Sequence, residues 1–397
     1  MSHFEAATPL RILMAVPQYP YPVIGGLERQ AHELAKALSA EGARVSVVSG
    51  SMGQQRSGVE LVEGITVYRI PWFHSRWLRL LSTTGGVIAT MVRRRRDFDV
   101  VHNHNVSWFG ALVIVIAKVL RKPVISKLPN VGEFGLPGMR SRPLGWLCQR
   151  IFLGSDAIVA MSAHSLAELR EVGYPFERTF ATPNGIVPST RSAVARTLPT
   201  VVRVVFAGRL HEVKRLVDVI EVWDAIVERS TTPARLEIWG EGPQEQYLRA
   251  LAARQSHPES IVFRGHVAKV REDLESADIF VLPSAAEGNS NAILEAMDAG
   301  LPVVSTDVGG TAMLVGKEGA RYLFEPGARD KLVERLVMLL NDEALRETVG
   351  ERMRARVTTF FAMRTIAAAY ASVYVLLARR ERGRIHTLAN RAITGDL

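Results

Sequence analysis

Short apolar runs alternate with longer amphipathic stretches twice along the chain. In the first half the apolar runs predict buried strands, and they lie at Arg11–Val16, Val45–Val48, Thr66–Ile70, Asp99–His102, Val124–Lys127 and Ala157–Met161. Helical periodicity fills the segments between them, as in Leu27–Ala40 and Val106–Leu120. Strands of this length separated by helices predict a parallel sheet with covering helices.

The alternation breaks at residues 182–185, which read Thr-Pro-Asn-Gly, because Pro and Asn-Gly favour turns. It restarts with apolar runs at Val201–Ala207, Arg235–Trp239, Ile261–Phe263, Asp278–Leu282, Pro302–Ser305 and Arg321–Phe324. We therefore predict two doubly wound α/β domains, over residues 1–185 and 186–360, followed by a helix and a basic tail over 361–397. Domains of this kind bind ligands outside the carboxyl ends of their strands.

The composition supports two globular domains in a reducing compartment. The 397 residues are too many for one compact core. The single cysteine, Cys148, excludes an internal disulfide framework and a Cys-cluster metal site. Residues 1–9 show no signal-peptide pattern, and the apolar stretch 106–120 is shorter than the roughly 20 residues that span a bilayer. We expect a cytoplasmic protein.

The net charge of +9 is concentrated in the first half of the chain. Residues 1–185 carry 21 Lys and Arg against 13 Asp and Glu, a balance of +8. A basic surface attracts nucleic acid, an anionic membrane or a phosphorylated substrate. Between Arg76 and Arg96, apolar side chains alternate with arginines, which predicts either a helix on an anionic membrane or a solvated helix packed on its own domain. No recognition motif favours nucleic acid, and we expect none to bind.

Several common catalytic motifs are missing from the sequence. It has no G-x-G-x-x-G, which counts against a dinucleotide oxidoreductase, and it also has no phosphate-binding P-loop and no H-E-x-x-H. Asp97-Phe98-Asp99 has the Asp-x-Asp letters of a sugar-nucleotide metal site, but it precedes a predicted strand and we interpret it as structural. We therefore expect no tightly bound metal.

A candidate phosphate site follows the predicted strand Asp278–Leu282. Gly288 and Asn289 lie where this strand turns into a helix, and a helix N-terminus offers backbone N–H groups to a phosphate. Glu295, about one turn into the helix, is suited to accept hydrogen bonds from a ribose diol, and Glu287 from hydroxyls at the other end of the ligand. A helix cap followed by a surface acid is the alternative interpretation.

Two cations follow the predicted strand Val201–Ala207, and they therefore lie at the same carboxyl end of the sheet. Arg209 and Lys214 would neutralise the charge that develops on a leaving diphosphate. Taken alone, such a loop is more often a solvated charge pair. Together with the phosphate-binding helix, it indicates a nucleotide-sugar site.

These motifs resemble those of the retaining GT-B glycosyltransferases of family 4, also called glycosyltransferase group 1. The residues that carry the resemblance are Phe206-Ala207-Gly208-Arg209-Leu210 with Lys214, Glu287-Gly288-Asn289-Ser290-Asn291 through Glu295-Ala296-Met297, Gly300-Leu301-Pro302-Val303-Val304, Gly309-Gly310, Gly25-Gly26, Pro183-Asn184-Gly185, Gly240-Glu241-Gly242-Pro243 and Gly265-His266-Val267. The Glu-x7-Glu spacing of Glu287 and Glu295 before such a strand is the most specific of these signals.

The resemblance implies a GT-B fold, in which two Rossmann-like domains face a cleft and a last helix, with Thr365–Leu377 as the candidate, crosses back to the first domain. It implies that Arg209 and Lys214 bind the donor diphosphate and that Glu287 contacts the donor sugar. The remaining donor-binding residues that it implies are Gly25, Gly26, Val267, Gly288, Asn289 and Glu295. No cofactor is implied, because the nucleoside diphosphate sugar is a substrate.

The sequence departs from the family at one catalytic position. Family members often have a His at the end of an N-domain strand near the reacting sugar, and here Lys127 occupies about that place. A Lys can contact a phosphate or a hydroxyl but cannot replace a neutral imidazole. His102 and His104, after the preceding strand, are the alternatives, although a His in such a place is more often structural.

The resemblance implies transfer of a sugar, with retention, from a nucleoside diphosphate sugar to an acceptor hydroxyl. The basic first half favours a glycan or lipid-linked acceptor and a peripheral position on the inner face of an anionic membrane. A nucleotide-sugar 2-epimerase of the same fold remains an alternative, as does a non-catalytic nucleotide-sugar-binding scaffold protein.

Overall fold

The computed structural model describes residues 9–20, 25–51, 57–71, 73, 75–132, 135–141, 143–189, 201–381 and 385. The chain divides into two compact units. Unit 1 comprises Met1–Val187 and Met363–Leu397, and unit 2 comprises Pro188–Ala362. A basic tail was predicted after the last helix. Apart from Ile385, the part of it beyond residue 381 lies outside the described residues.

Unit 1 contains an eight-stranded sheet of order β3-β4-β2-β1-β5-β6-β7-β8. Its strands are β1 (Arg11–Ala15), β2 (Arg44–Gly50), β3 (Gly58–Val62), β4 (Ile65–Ile70), β5 (Val100–Asn103), β6 (Val124–Leu128), β7 (Ala157–Ala160) and β8 (Thr179–Ala181). Every neighbouring pair is parallel except the antiparallel hairpin β3–β4. Neither β3 nor β8 was predicted from the sequence, and these two strands form the two edges of the sheet.

Helices cover both faces of this sheet. They are α1 (Gly26–Ala40), α2 (Arg76–Arg93), α3 (Trp108–Val119), α4 (Leu136–Arg140), α5 (Gly145–Leu153) and α6 (Ala163–Glu171). Because side chains alternate along a strand, Ile12 and Met14 of β1 join the apolar core beneath α1, while Leu13 and Ala15 join the core beneath α3. The predicted helix at 106–120 is the buried α3, which has 12 residues.

Unit 2 contains a six-stranded, entirely parallel sheet of order β11-β10-β9-β12-β13-β14. Its strands are β9 (Val202–Ala207), β10 (Ala234–Trp239), β11 (Ile261–Gly265), β12 (Ile279–Leu282), β13 (Val303–Thr306) and β14 (Leu323–Phe324). The strand order changes direction between β9 and β12. In an open parallel sheet, this switch point leaves a crevice for a ligand beyond the carboxyl ends of the two strands.

The helices of unit 2 are α7 (Leu216–Glu221), α8 (Trp223–Arg229), α9 (Glu245–Ala252), α10 (Val270–Leu274), α11 (Asn291–Asp298), α12 (Thr311–Gly319), α13 (Arg329–Asn341) and α14 (Glu343–Phe360). The segment 216–228 forms two helices, α7 and α8, which are divided at Val222. The strand expected over 321–324 keeps only its last two residues, because Ala320–Tyr322 form a 3-10 turn.

The last helix, α15 (Met363–Ala378), belongs to unit 1 and packs on α1. The N–H of Met363 donates to the carbonyl of Ile186 at 2.6 Å, so the two segments that cross between the units are bonded to each other. The boundaries predicted after residues 185 and 360 lie after residues 187 and 362 in the structure. Within the described ranges, no helix is long and apolar enough to cross a bilayer.

Candidate functional site

The loops that follow β9 and β12 are joined at the switch point of the unit 2 sheet. The N–H of Ala285 donates to the carbonyl of Val213 at 2.7 Å. Lys214 Nζ lies 2.6 Å from Glu287 Oε1, so these two predicted site residues are in direct contact. Both side chains are largely buried, with 22% of Lys214 and 11% of Glu287 exposed, which strengthens the ion pair relative to a surface pair.

The Glu287 side chain makes all of its hydrogen bonds to described residues through one oxygen, Oε1. Oε1 accepts from Lys214 and also from the hydroxyl of Ser284, at 2.6 Å in each case. Ser284 is fully buried, and its own carbonyl accepts from the hydroxyl of Thr306 at 2.6 Å. Glu287 is therefore held from one side, and Oε2 makes no hydrogen bond within the described part of the chain.

Sequence reasoning missed Ser284 and Thr306. The only signal for Ser284 is its position three residues before Glu287, a spacing that Ser and Glu also show at many helix starts. Thr306 is at the end of a different strand, so its contact with Ser284 depends on the order of strands in the sheet.

The loop after β13 lies directly behind the loop that carries Glu287. The N–H of Gly310 donates to the carbonyl of Gly288 at 2.9 Å. Gly309 has φ +58°, and a Cβ there would overlap the carbonyl oxygen of Glu287. Only glycine meets both requirements at position 309.

The helix α11 begins immediately after this loop. Ser290 is its N-cap residue, but the Ser290 side chain makes no capping hydrogen bond and the first turn contains no acidic residue. The positive end of the helix is therefore not neutralised by a side chain, as an anion site requires. Gly288 and Asn289 precede the helix as predicted, and Glu295 lies half-buried within it.

Arg209 and Val267 lie on the neighbouring loops of the same sheet edge. Arg209 is exposed, two residues after β9, and the structure does not bring it into contact with Glu287. Val267 follows β11 and is half-buried. Gly240, with φ +134°, allows the loop after β10 to pack against Gly208, since a Cβ there would overlap the Gly208 carbonyl oxygen. The predicted donor residues of unit 2 therefore all lie at the carboxyl end of one sheet, and among them Lys214 and Glu287 are in direct contact.

In unit 1, Lys127 is buried at the end of β6. Its Nζ donates to Asn184 Oδ1 at 2.8 Å. Burial lowers the pKa of Lys127 from 10.5 to about 8. A Lys with such a pKa is partly neutral just above neutral pH, which distinguishes it from a surface Lys. The Asn of the Pro-Asn-Gly turn thus serves as the partner of Lys127, a contact that the sequence analysis did not predict.

His102 and His104 are both fully buried beside the last helix. Their rings stack at 3.8 Å, and His102 Nδ1 lies 2.7 Å from the hydroxyl of Tyr374 in α15. Burial lowers the pKa of both imidazoles well below 6.5, and the nearby charge of Lys127 lowers it further. His102 Nε2 and both nitrogens of His104 have no hydrogen-bond partner within the described part of the chain. The histidines are therefore neutral and enclosed rather than open to solvent.

The glycine pair at the start of α1 is held in an extended turn. Gly25 is the N-cap residue with φ −162°, and the helix begins at Gly26. One turn later, the Gln30 side chain makes two hydrogen bonds to the backbone of Gly185, at 2.7 and 3.2 Å. Gln30 thereby ties this helix to the segment that leads out of unit 1, a contact for which the sequence offers no signal.

No three His, Cys, Asp or Glu side chains lie close enough to hold a metal ion within the ranges that the structure describes. Unit 2 instead presents two cationic side chains, Arg209 and Lys214, and a helix end at this site. Such a set can bind and stabilise a diphosphate through hydrogen bonds and charge alone.

Two family models match the chain, and together they cover more than half of it. The model "Glycosyltransferase Family 4" matches residues 24–190, and the model "Glycosyl transferases group 1" matches residues 201–342. The break between the two matches coincides with the division between the two units.

Named relatives extend over nearly the whole chain. The glycogen synthase of Mycobacterium tuberculosis (strain ATCC 25618 / H37Rv) is 28% identical, covering 94% of this chain and 96% of its own. A component of the phosphatidylinositol N-acetylglucosaminyltransferase of Arabidopsis thaliana is 26% identical, covering 92% and 81%. Among solved structures, Anabaena Alr3699/HepE in complex with UDP and glucose has a TM-score of 0.73 at 19% identity, covering 92% of this chain and 99% of its own. Its similarity confirms the predicted GT-B fold.

Proposed function

Because the chain belongs to the group 1, family 4 glycosyltransferases, we propose that it transfers a hexosyl group from a nucleoside diphosphate sugar to an acceptor hydroxyl. The observation that carries this proposal is the Lys214–Glu287 ion pair beside the uncapped N-terminus of α11. The pair provides a cation for the diphosphate and a carboxylate for the sugar within one contact. The complex of HepE with UDP and glucose, on the same fold, supports a nucleotide-sugar donor.

The proposed roles in unit 2 follow from the geometry of Glu287. Its Oε1 is occupied by Lys214 and Ser284, which leaves Oε2 to accept a hydrogen bond from a donor-sugar hydroxyl. Lys214 and the exposed Arg209 would contact the diphosphate, together with the backbone at Gly288 and Asn289. Glu295 would accept from the ribose diol, and Val267 would lie beside the base.

The proposed reaction proceeds with retention at the anomeric carbon. The acceptor oxygen forms a bond to that carbon while the bond from the carbon to the diphosphate oxygen breaks, and the acceptor proton passes to the departing phosphate. Arg209, Lys214 and the end of α11 stabilise the negative charge that develops on the leaving group. This charge is met by side-chain cations and a helix dipole, so we propose a reaction without metal or cofactor.

We further propose that the acceptor is a glycan intermediate at an anionic membrane, where the cytoplasmic protein is peripheral. The helix α2 buries Thr83, Val87 and Met91 towards its own domain. Its other side exposes apolar side chains, including Trp77 at 73% and Leu81 at 69%. The helix continues through Gly85-Gly86, and the exposed arginines 93–96 follow at its end. An exposed apolar face next to four arginines fits the surface of an anionic bilayer, and the phosphatidylinositol named in one relative supports a lipid acceptor.

The donor proposal is tested first by binding and then by transfer. A thermal-shift panel of UDP-, GDP- and dTDP-sugars identifies the donor, and the radiolabelled donor is then incubated with a lipid extract. Label in the lipid fraction, with the anomeric configuration of the donor in the product, supports a retaining transferase. Label that only moves between two nucleotide sugars identifies an epimerase, and binding without any transfer identifies a scaffold protein.

The membrane proposal is tested by flotation with vesicles of phosphatidylcholine, with and without phosphatidylglycerol. We expect binding only to the anionic vesicles, and loss of binding in the variant W77S/L81S. The matched control is Leu61→Ser, which removes a leucine of similar exposure, 71%, from the edge strand β3. Equal flotation of the wild type and W77S/L81S would reject this surface as the membrane contact.

A further inference from the structure

A cavity lies in unit 2 at the amino end of the sheet, opposite to the candidate donor site at the carboxyl end. It has a volume of about 510 Å³ and is lined by the end of α12, the 3-10 turn before β14 and the first turns of α14. Tyr322 in its wall directly precedes β14, so the cavity is at the amino end of this strand. Arg209 and Glu287 follow the carboxyl ends of β9 and β12 in the same parallel sheet. The two sites are therefore distinct.

The cavity is lined by three cations, Lys317, Arg321 and Arg352. Within the described residues, Lys317 and Arg321 have no carboxylate partner. Arg352 lies 3.2 Å from Glu318, but both side chains are mostly exposed, at 59% and 63%, so a ligand can replace this weak pair.

The second acidic residue of the cavity lining, Asp342, is already engaged. Asp342 is the N-cap of α14, and its Oδ1 accepts from the N–H of Leu345 at 2.9 Å. Ala344 and Leu345, in the first turn of this 18-residue helix, form part of the cavity wall. The balance of unpaired groups around the cavity is therefore cationic.

A buried hydroxyl in the cavity wall has no partner. Tyr322 is fully buried, and its Oη makes no hydrogen bond to any described residue. Burial raises the pKa of Tyr322, so its hydroxyl stays protonated and remains a donor. The guanidinium of Arg321 lies over the Tyr322 ring, 5.4 Å from its centre. A buried donor without an acceptor is unfavourable, and a ligand oxygen would relieve it.

We propose that this cavity binds a small phosphorylated molecule. Its phosphate group lies among Lys317, Arg321 and Arg352 and accepts a hydrogen bond from the Tyr322 hydroxyl. Guanidinium groups bind phosphate oxygens with strong, charge-assisted hydrogen bonds. The volume is within the range of small-molecule sites and exceeds what a bare phosphate needs, so a sugar phosphate fits.

The test is isothermal titration calorimetry of the full chain with glucose 6-phosphate, inorganic phosphate and glucose. We expect both phosphates to bind, and glucose to show no heat of binding. Equal affinities for the two phosphates identify the phosphate group alone as the ligand, and tighter binding of the ester identifies a phosphorylated metabolite; both results support the proposal. Binding of glucose as tight as that of its phosphate would overturn it.

Matched variants separate this cavity from the candidate donor site. The variant R321S/R352S is expected to bind glucose 6-phosphate at least tenfold more weakly, and Tyr322→Phe severalfold more weakly. Arg254→Ser, which removes an exposed arginine elsewhere on unit 2, and Arg209→Ala, at the donor loops, are expected to bind as the wild type does. Loss of binding in Arg209→Ala but not in R321S/R352S would place the phosphate at the donor site and overturn the proposal. Thermal melting confirms that each variant is folded, and none of these measurements depends on sugar transfer.

Discussion

Replacement of Ser284 by Ala tests whether Glu287 acts through a fixed orientation. The substitution removes the 2.6 Å hydrogen bond to Glu287 Oε1 and leaves the Lys214 contact in place. A hydrogen bond to a charged group contributes about 1.5–3 kcal/mol. Because Lys214 still holds the same oxygen, we expect the lower part of this range, or about a tenfold loss of kcat/KM, since about 1.4 kcal/mol corresponds to one factor of ten.

The matched control is Ser305→Ala on the neighbouring strand. Ser305 is also buried, and its hydroxyl donates to the carbonyl of Leu282 at 2.8 Å, without contact to Glu287. Both variants lose one buried hydroxyl, so both are expected to lose a similar part of the free energy of unfolding, about 1 kcal/mol. Only Ser284→Ala is expected to lose turnover as well.

The assay measures initial rates of sugar transfer over a range of donor concentrations, with the acceptor fixed, together with urea unfolding of each variant. If Ser284 orients Glu287 for its contact with the donor sugar, the Ser284→Ala variant remains folded but has a lower kcat/KM for the donor. If kcat/KM of Ser284→Ala stays within twofold of that of Ser305→Ala, the Ser284 contact does not position Glu287 for catalysis.

Three further predictions concern Arg209, Lys127, and the pair His102 and His104. Arg209→Ala is expected to lower kcat/KM about a hundredfold, or about 3 kcal/mol of barrier, because a cation on the leaving diphosphate is lost; Arg254→Ala is the control, and equal kinetics would contradict this role. Burial lowers the pKa of Lys127 from 10.5 to about 8, so the folded chain binds fewer protons than the unfolded chain between these values, and its free energy of unfolding rises with pH there. Urea titrations at pH 8 and pH 10 should show this rise in the free energy of unfolding for the wild type but not for Lys127→Met. An identical rise in the wild type and in Lys127→Met would refute the lowered pKa of Lys127. The pKa values of His102 and His104 lie well below 6.5, so below that pH the unfolded chain binds protons that the folded chain does not, and the free energy of unfolding should fall as the pH decreases. H102N/H104N should lose less stability between pH 7 and pH 5 than the wild type, and an equal loss would show that folding does not lower the pKa of these imidazoles.

The alternation of apolar runs and helical segments was enough to predict both sheets, because parallel strands buried on two faces are apolar along their length. The hairpin β3–β4 was missed, since Val59 and Leu61 on its outer strand are exposed and do not form a buried run. A local signal did exist. Glu63 and Gly64 both have positive φ, at 43° and 84°, which is the two-residue turn that an x-Gly pair favours in hairpins.

Of the candidate site, only the residues that directly follow predicted strands could be predicted from the sequence. Arg209, Lys214 and Glu287 follow strands, so their position at one sheet edge follows from the pattern. The contact of Lys214 with Glu287 joins residues 73 positions apart, and that of His102 with Tyr374 joins residues 272 positions apart. Such pairs depend on the order of strands and on the path of the last helix, neither of which has a local signature.

The burial of α15 within unit 1 determines the order in which the two units can be completed during synthesis. Ile366, Tyr370 and Tyr374 of α15 share one apolar core with Ile12 and Met14 of β1. A growing chain therefore carries an uncovered apolar sheet face until residue 378 has left the ribosome, whereas residues 188–362 already contain all of unit 2. The N-terminal unit begins first and finishes last, and a nascent chain stopped before Met363 would be a target for chaperones at the face that α15 covers.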